Sequence, residues 1–317
     1  MRHIFVINPL AGKRSGGKTL KDQILRAGEK QRVPVEIYET RAAGDGENFV
    51  CETCENKAED EQIRFYACGG DGALNEVMNG SVGFPGVEVG CVPLGTGNDY
   101  VRNYGQLETF LDMEAQILGK AVDSDLISYR TWLDGKESRR RYCMNMFNIG
   151  FDCNVVDLTD RAKNWPLISG SFAYLLSVAI ILIKKKGANL RVCFEDGEVF
   201  DGRLLLIAIA NGCFCGGGVK GVPLSLLDDG LMDVSLIRDV PRRTFVRLFP
   251  KYAKGTHLSD KKARDLFTYK KCERLFIFAR GGPMRLCTDG EITDAEQVEF
   301  EIVPKGMRFS VPRGGKP

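Results

Sequence analysis

Residues 63–80 read IRFYACGGDGALNEVMNG. An apolar strand-like run ends in Gly69-Gly70-Asp71-Gly72, after which Leu74, Val77 and Met78 recur on one helical face. Glycines at a strand-to-helix turn let backbone amides approach an anion, and the helix N-terminus adds partial positive charge. The stretch predicts a phosphate seat, although a tight Gly-Asp-Gly turn without a ligand accounts for it equally well when it is taken alone.

A second loop, Pro93-Leu94-Gly95-Thr96-Gly97-Asn98-Asp99, again follows a strand-like run, VEVGCV. It places two glycines, a hydroxyl and a carboxylate where a parallel sheet presents its ligand-binding edge. Two such loops in one sheet point to a nucleotide. Upstream, HIFVIN (3–8), VPVEIYE (33–39) and a helix near 45–58 alternate with the stretches already quoted, which predicts a parallel α/β domain over 1–125.

From about Asp125 the texture changes to recurrent strands: RYCMNMFNIGF, ANLRVCFED, RLLLIAIANG, LMDVSLI, RLFIFA, MRLCT, QVEFEIVP and MRFSV, interrupted by one long helical region. This predicts a largely antiparallel β domain of sandwich type over 126–304, with 305–317 packing back on the first domain.

Residues 12–19, GKRSGGKT, match the P-loop pattern letter for letter. A P-loop phosphotransferase would need a Walker-B acid after an apolar strand. The candidate strands end instead in CGGDG, PLGTGND and ANG.

Lys+Arg 44 against Asp+Glu 42 leaves a formal charge of +2, which supports no global attraction to nucleic acid. Eleven scattered cysteines read as reduced thiols of a cytoplasmic protein. Cys51 and Cys54 form one C-x-x-C, but with only two histidines in the chain a zinc site lacks its second ligand pair. No export signal opens the chain. Trp165 to Ile183 is uncharged, yet Pro166, Gly170 and serines leave only FAYLLSVAIILI as a continuous apolar helix, too short to span a bilayer.

The pair GGDG...NE and P-x-GTxND, in this order, resembles the diacylglycerol kinase and sphingosine kinase family of lipid kinases, most closely its soluble bacterial members. The resemblance extends through Asn8-Pro9, NIGFD (148–152), NGCFCGGGVKGVPLSLLDDGLMDV (211–234) and TDGE (288–291). Ala73 stands where that family usually has Thr, and Tyr100-Val101 where it has Phe-Ala.

The resemblance implies an ATP- and Mg²⁺-dependent kinase acting on a lipid hydroxyl, diacylglycerol by default, with sphingosine, ceramide or polyprenol as other acceptors. It implies ATP across Gly69, Gly70, Asp71, Gly72, Ala73, Leu74, Asn75 and Glu76, with Asn8, Thr40, Gly95, Thr96, Asn98, Asp99 and Glu291 completing the pocket. Asp289 matches the base that takes the proton of the attacking hydroxyl. Asp229, with the carbonyls of Leu226 and Leu231, matches a structural magnesium site connected to the active site through Asp99 and Asp125, with Asp123 an alternative to Asp125.

For the lipid partner, the apolar 165–183 segment and basic clusters at 139–141, 184–186, 242–243 and 261–262 offer peripheral membrane contact. An exposed edge strand offers a homodimer contact. A regulator that binds lipid or nucleotide without phosphoryl transfer is the reading from another class.

Overall fold

The computed structural model describes residues 1–11, 17–150, 187–260 and 264–316. The loop 12–16, the 165–183 segment, Lys184 to Lys186 and Lys261-Lys262 lie outside the described residues. The chain divides into two compact units, Met1–Leu126 with Pro304–Pro317, and Ile127–Val303.

The first unit is a parallel sheet of β1 (Arg2–Ile7), β2 (Val35–Glu39), β3 (Ile63–Gly69) and β4 (Val87–Pro93), in the order β2-β1-β3-β4. The end of the last strand, β16 (Gln297–Val311), adds beside β4 at Phe309↔Val89. Helices α1 (Gly17–Gln31), α2 (Asp45–Glu55), α3 (Asp71–Ser81) and α4 (Met113–Ile117) make the connections and cover the faces. β3 and β4 are buried at every position, as strands covered on both faces must be, and Phe5 stacks on Tyr66 at 4.2 Å within a core that includes Ile24 and Val92.

One buried ion pair sits inside this unit. Arg64 and Glu88 face each other on β3 and β4 at 2.7 Å, and the Arg64 guanidinium also donates to the carbonyls of Gln116 and Ile117. The pair thereby satisfies carbonyls at the end of α4 that the helix itself cannot.

The second unit is antiparallel. Its strands are β7 (Arg141–Cys143), β8 (Met146–Gly150), β9 (Ala188–Phe194), β10 (Val199–Ala210), β11 (Met232–Arg238), β12 (Phe267–Cys272), β13 (Arg274–Ala279), β14 (Met284–Thr288) and β15 (Glu291–Ala295), with parts of β5 (Lys120–Leu133) and β16 and the two-residue β6 (Lys136–Glu137). β10 shifts register between Leu204 and Leu206. Its first half pairs with β9, and its second half pairs with β8 on one side and β11 on the other. A strand that changes partners in this way turns a corner between the layers of the sandwich, whose core includes Phe147, Ile207, Val234, Leu275 and Phe300.

Three local expectations are corrected. RYCMNMFNIGF is two strands, because the Asn145 carbonyl turns away to accept the Asn211 and Gly212 amides. QVEFEIVP and MRFSV are one strand: the break suggested by Pro304 and Gly306 is a kink at Lys305 (φ 52°), whose amide donates to the buried Asp125 carboxylate at 2.7 Å. A helix not foreseen in this domain, α5 (Arg242–Ala253), packs Phe245, Leu248 and Tyr252 on Leu205, Leu206 and Ile237. Among the described residues no helix is long and apolar enough to cross a membrane.

Burial pushes His3 and His257 down from 6.5 to about 4, Arg64 assisting at His3. Protonation therefore favours the unfolded chain: stability holds above pH 6.5, falls as the pH drops from 6.5 towards 4, and levels below that. His257→Phe preserves packing against Tyr252 and Phe267 while removing one proton. Its stability relative to the wild type should rise by up to about 3 kcal/mol across this window, read by urea unfolding at stepped pH.

Candidate functional site

In the first unit, the carboxyl ends of β1, β3 and β4 gather the residues that the sequence singles out. Gly69 closes β3, and Gly70 is the N-cap of α3 with no side-chain cap, so the amides of the first helical turn have no intrahelical acceptor. Asn8 follows β1, its amide bound to the Cys68 carbonyl and its side chain accepting the Leu10 amide. The Thr40 amide donates to the Ile7 carbonyl beside it.

The two glycine loops touch. A Cβ on Gly95 would stand 2.5 Å from Gly70 Cα, and one on Gly97 would stand 2.6 Å from the Asp71 carboxylate. Glycine is required at both positions by close approach. Asp71 then ties the loops together: Oδ2 accepts the Asn98 amide at 2.8 Å and Oδ1 the Asp99 amide at 2.9 Å. Asn98, at φ 53°, folds back to bond both the amide and the carbonyl of Gly95. Burial raises the Asp71 carboxyl above its ordinary range, while these backbone donors and Arg102 pull it down. The result is a rigid pair of loops with uncapped helical amides, suited to an anion.

Not every residue singled out by sequence lines this edge. Leu74 is buried in the core. The Glu76 carboxylate accepts the Gly44 and Gly46 amides and so caps α2. Asn75 accepts from Asn79 one turn along α3. Ala73 packs close under Gly69, and Thr96 is exposed at the tip of the second loop. Asp99 lies 3.7 Å from Arg102, and Arg102 also donates to the Gly97 carbonyl. Arg102 was missed, although its i,i+3 spacing from Asp99 is visible in the sequence.

In the second unit, Asp289 (φ 46°) and Gly290 (φ 98°) make the two-residue turn between β14 and β15, the left-handed pair that such hairpins favour. Asp289 Oδ1 accepts the Met146 amide at 2.9 Å, Oδ2 lies 3.2 Å from the Cys143 thiol, and the Asp289 amide donates to the Met146 carbonyl. Burial, reinforced by Asp289, pushes the Cys143 thiol well above its ordinary value, so it donates as a neutral S–H. Nothing near Cys143 in the sequence signals this role. Glu291 is exposed on the far side of the turn.

Asp229 follows the exposed Leu226 in the loop before β11. Its Oδ1 accepts the Leu231 amide, and its Oδ2 pairs with Lys271 at 2.5 Å, which Asp233 shares at 3.1 Å. Among the described residues no three His, Cys, Asp or Glu side chains converge as a metal cage.

Residues 2–129 match the model of the diacylglycerol kinase catalytic domain, and residues 145–311 that of the YegS C-terminal NAD kinase beta sandwich-like domain. The chain is 27% identical to a probable lipid kinase YegS-like of Stenotrophomonas maltophilia over 96% of its own length and 95% of the relative's. It is 29% identical to a diacylglycerol kinase of Staphylococcus haemolyticus over 97% and 87% of the two chains. Among solved structures it shares its fold with a putative diacylglycerol kinase of Bacillus anthracis, at a TM-score of 0.73 and 20% identity over 97% of this chain and 96% of the other.

Asp71→Asn should place an amide N–H against the Asn98 or Asp99 N–H. We expect a loss of about 1–3 kcal/mol, measured by chemical denaturation. Gly95→Ala should destabilise in the same direction, since the methyl group meets backbone rather than a side chain that can move.

Proposed function

The chain belongs to the family of diacylglycerol kinase-type and YegS-like lipid kinases, and from that premise we propose that it transfers the γ-phosphate of ATP to a lipid hydroxyl, diacylglycerol being the first choice of acceptor. The observation that supports this reading most is the clamped pair of glycine loops, whose uncapped α3 amides suit phosphate oxygens. Gly69 to Gly72 with Asn8, Thr40, Gly95 and Thr96 would seat the nucleotide. Glu76 and Asn98 would act by holding the backbone rather than by touching it.

Asp289 is assigned as the base that takes the proton from the attacking hydroxyl. The Met146 amide orients its carboxylate, and Cys143 offers a weak donor that a substrate hydroxyl could replace. Beneath α5, Phe245, Phe249, Leu205 and Leu206 border an apolar seam whose void of about 30 Å³ is far smaller than an acyl chain, so the lipid tail is not placed there.

A structural Mg²⁺ held by Asp229 and the carbonyls of Leu226 and Leu231 fits by donor type, since all are hard oxygens. It would bring positive charge to a loop where Asp229 and Asp233 share Lys271. The protein would work at the cytoplasmic membrane surface, as a monomer or homodimer, without nucleic acid.

Labelled ATP incubated with the protein and a panel of diacylglycerol, sphingosine, ceramide and polyprenol should yield one labelled lipid. ATP binding without transfer to any of them would favour a non-catalytic regulator. Asp289→Asn should lower turnover by about 10²–10⁴-fold while ATP binding persists. Lys18→Ala should be milder; near-complete loss would instead support a P-loop at 12–19.

A further inference from the structure

Helix α5 divides its residues sharply. At about 100° per residue, Phe245, Leu248, Phe249 and Tyr252 share one side, the side that packs on the sandwich. Arg243, Val246, Arg247, Pro250 and Lys254 fall within an arc of about 100° on the opposite side, and all five are exposed. Val246 is 55% exposed.

Among the described residues this outer stripe has no electrostatic balance. From Pro241 to Gly255 there are five cationic residues and no carboxylate. Lys251 is neutralised by Asp260 at 2.6 Å. Among the described residues no carboxylate pairs with Arg243, Arg247 or Lys254, whereas other exposed arginines of this unit are paired, Arg274 with Glu301 and Arg280 with Asp201. Helix stability does not call for this placement either, because arginines in the first turn oppose the helix dipole. At the other end of α5, the Ala253 carbonyl accepts the Lys220 amide, which anchors a loop carrying Leu224, 58% exposed.

Cations flanking exposed aliphatic side chains on one helical stripe are complementary to an anionic lipid surface, where aliphatic groups enter the headgroup boundary and guanidiniums meet phosphate. We propose that the outer face of α5, centred on Arg243, Val246 and Arg247, docks this protein on anionic bilayers. The proposal rests on the lipid-kinase reading for its purpose and places the docking face on the helix that borders the apolar seam. An acidic polypeptide is the competing occupant, and the test separates the two.

The full chain is sedimented without nucleotide with vesicles of phosphatidylcholine alone and of phosphatidylcholine mixed with phosphatidylglycerol. Binding should appear with the anionic vesicles and decline as salt is raised. Arg243→Gln with Arg247→Gln should weaken it roughly thirtyfold at an unchanged melting temperature. Val246→Asp should also weaken it, and Arg280→Gln should leave it unaltered. Asp289→Asn should bind as the wild type does, so a failure of the kinase chemistry and a failure of docking are read separately. Equal binding by the double arginine variant and the wild type would overturn the proposal. So would a wild type that ignores phosphatidylglycerol, or one that binds polyglutamate but not vesicles.

Discussion

The Asp71 carboxylate, accepting the amides of Asn98 and Asp99, is the constraint on which the first unit's ligand edge depends. It joins two loops that leave neighbouring strands, β3 and β4, and it can do so only because Gly70, Gly95 and Gly97 allow the backbones to approach to contact. A buried carboxylate without donors would be costly; here its own burial is compensated by the amides it orders. The amides of the α3 first turn thereby point from a fixed backbone, and preorganisation of that kind is what anion binding requires.

The second unit uses the same device at Asp289. A left-handed Asp-Gly turn throws a carboxylate back onto a strand distant in sequence, where the Met146 amide receives it. In both places an aspartate that is unremarkable as a turn residue becomes structurally defined through a backbone amide far along the chain. The two differ in what surrounds the carboxylate. Asp71 is clamped by two strong backbone donors, whereas the second oxygen of Asp289 faces a thiol, a weak donor. That difference fits a structural tie in the first case and the base proposed for the second.

Much of this was legible beforehand. The parallel sheet of β1, β3 and β4 followed from apolar runs separated by helical periodicity, and the glycine loops marked where those strands end; the order of the strands did not. The role of Glu76 was not legible: its place directly after the GGDG turn suggests a ligand contact, but the side chain reaches across to cap α2, a neighbour that sequence spacing does not reveal. Likewise α5 was hidden. Its arginines and Pro250 make it polar and irregular as a linear string, and its apolar side becomes evident only once the sandwich supplies Leu205 and Ile237 to pack against.

Local periodicity and the Gly-Asp-Gly pattern determined by themselves that strands lead into phosphate-suited turns, because φ/ψ freedom and side-chain alternation are properties of adjacent residues. The partners of each carboxylate were decided only by the tertiary structure. Asp71 with Asn98, Asp289 with Met146, Asp125 with Lys305 and Asp229 with Lys271 are contacts between segments 27 to 180 residues apart. A hydrogen bond depends on distance and direction in space, and those are set by how the strands are ordered and registered.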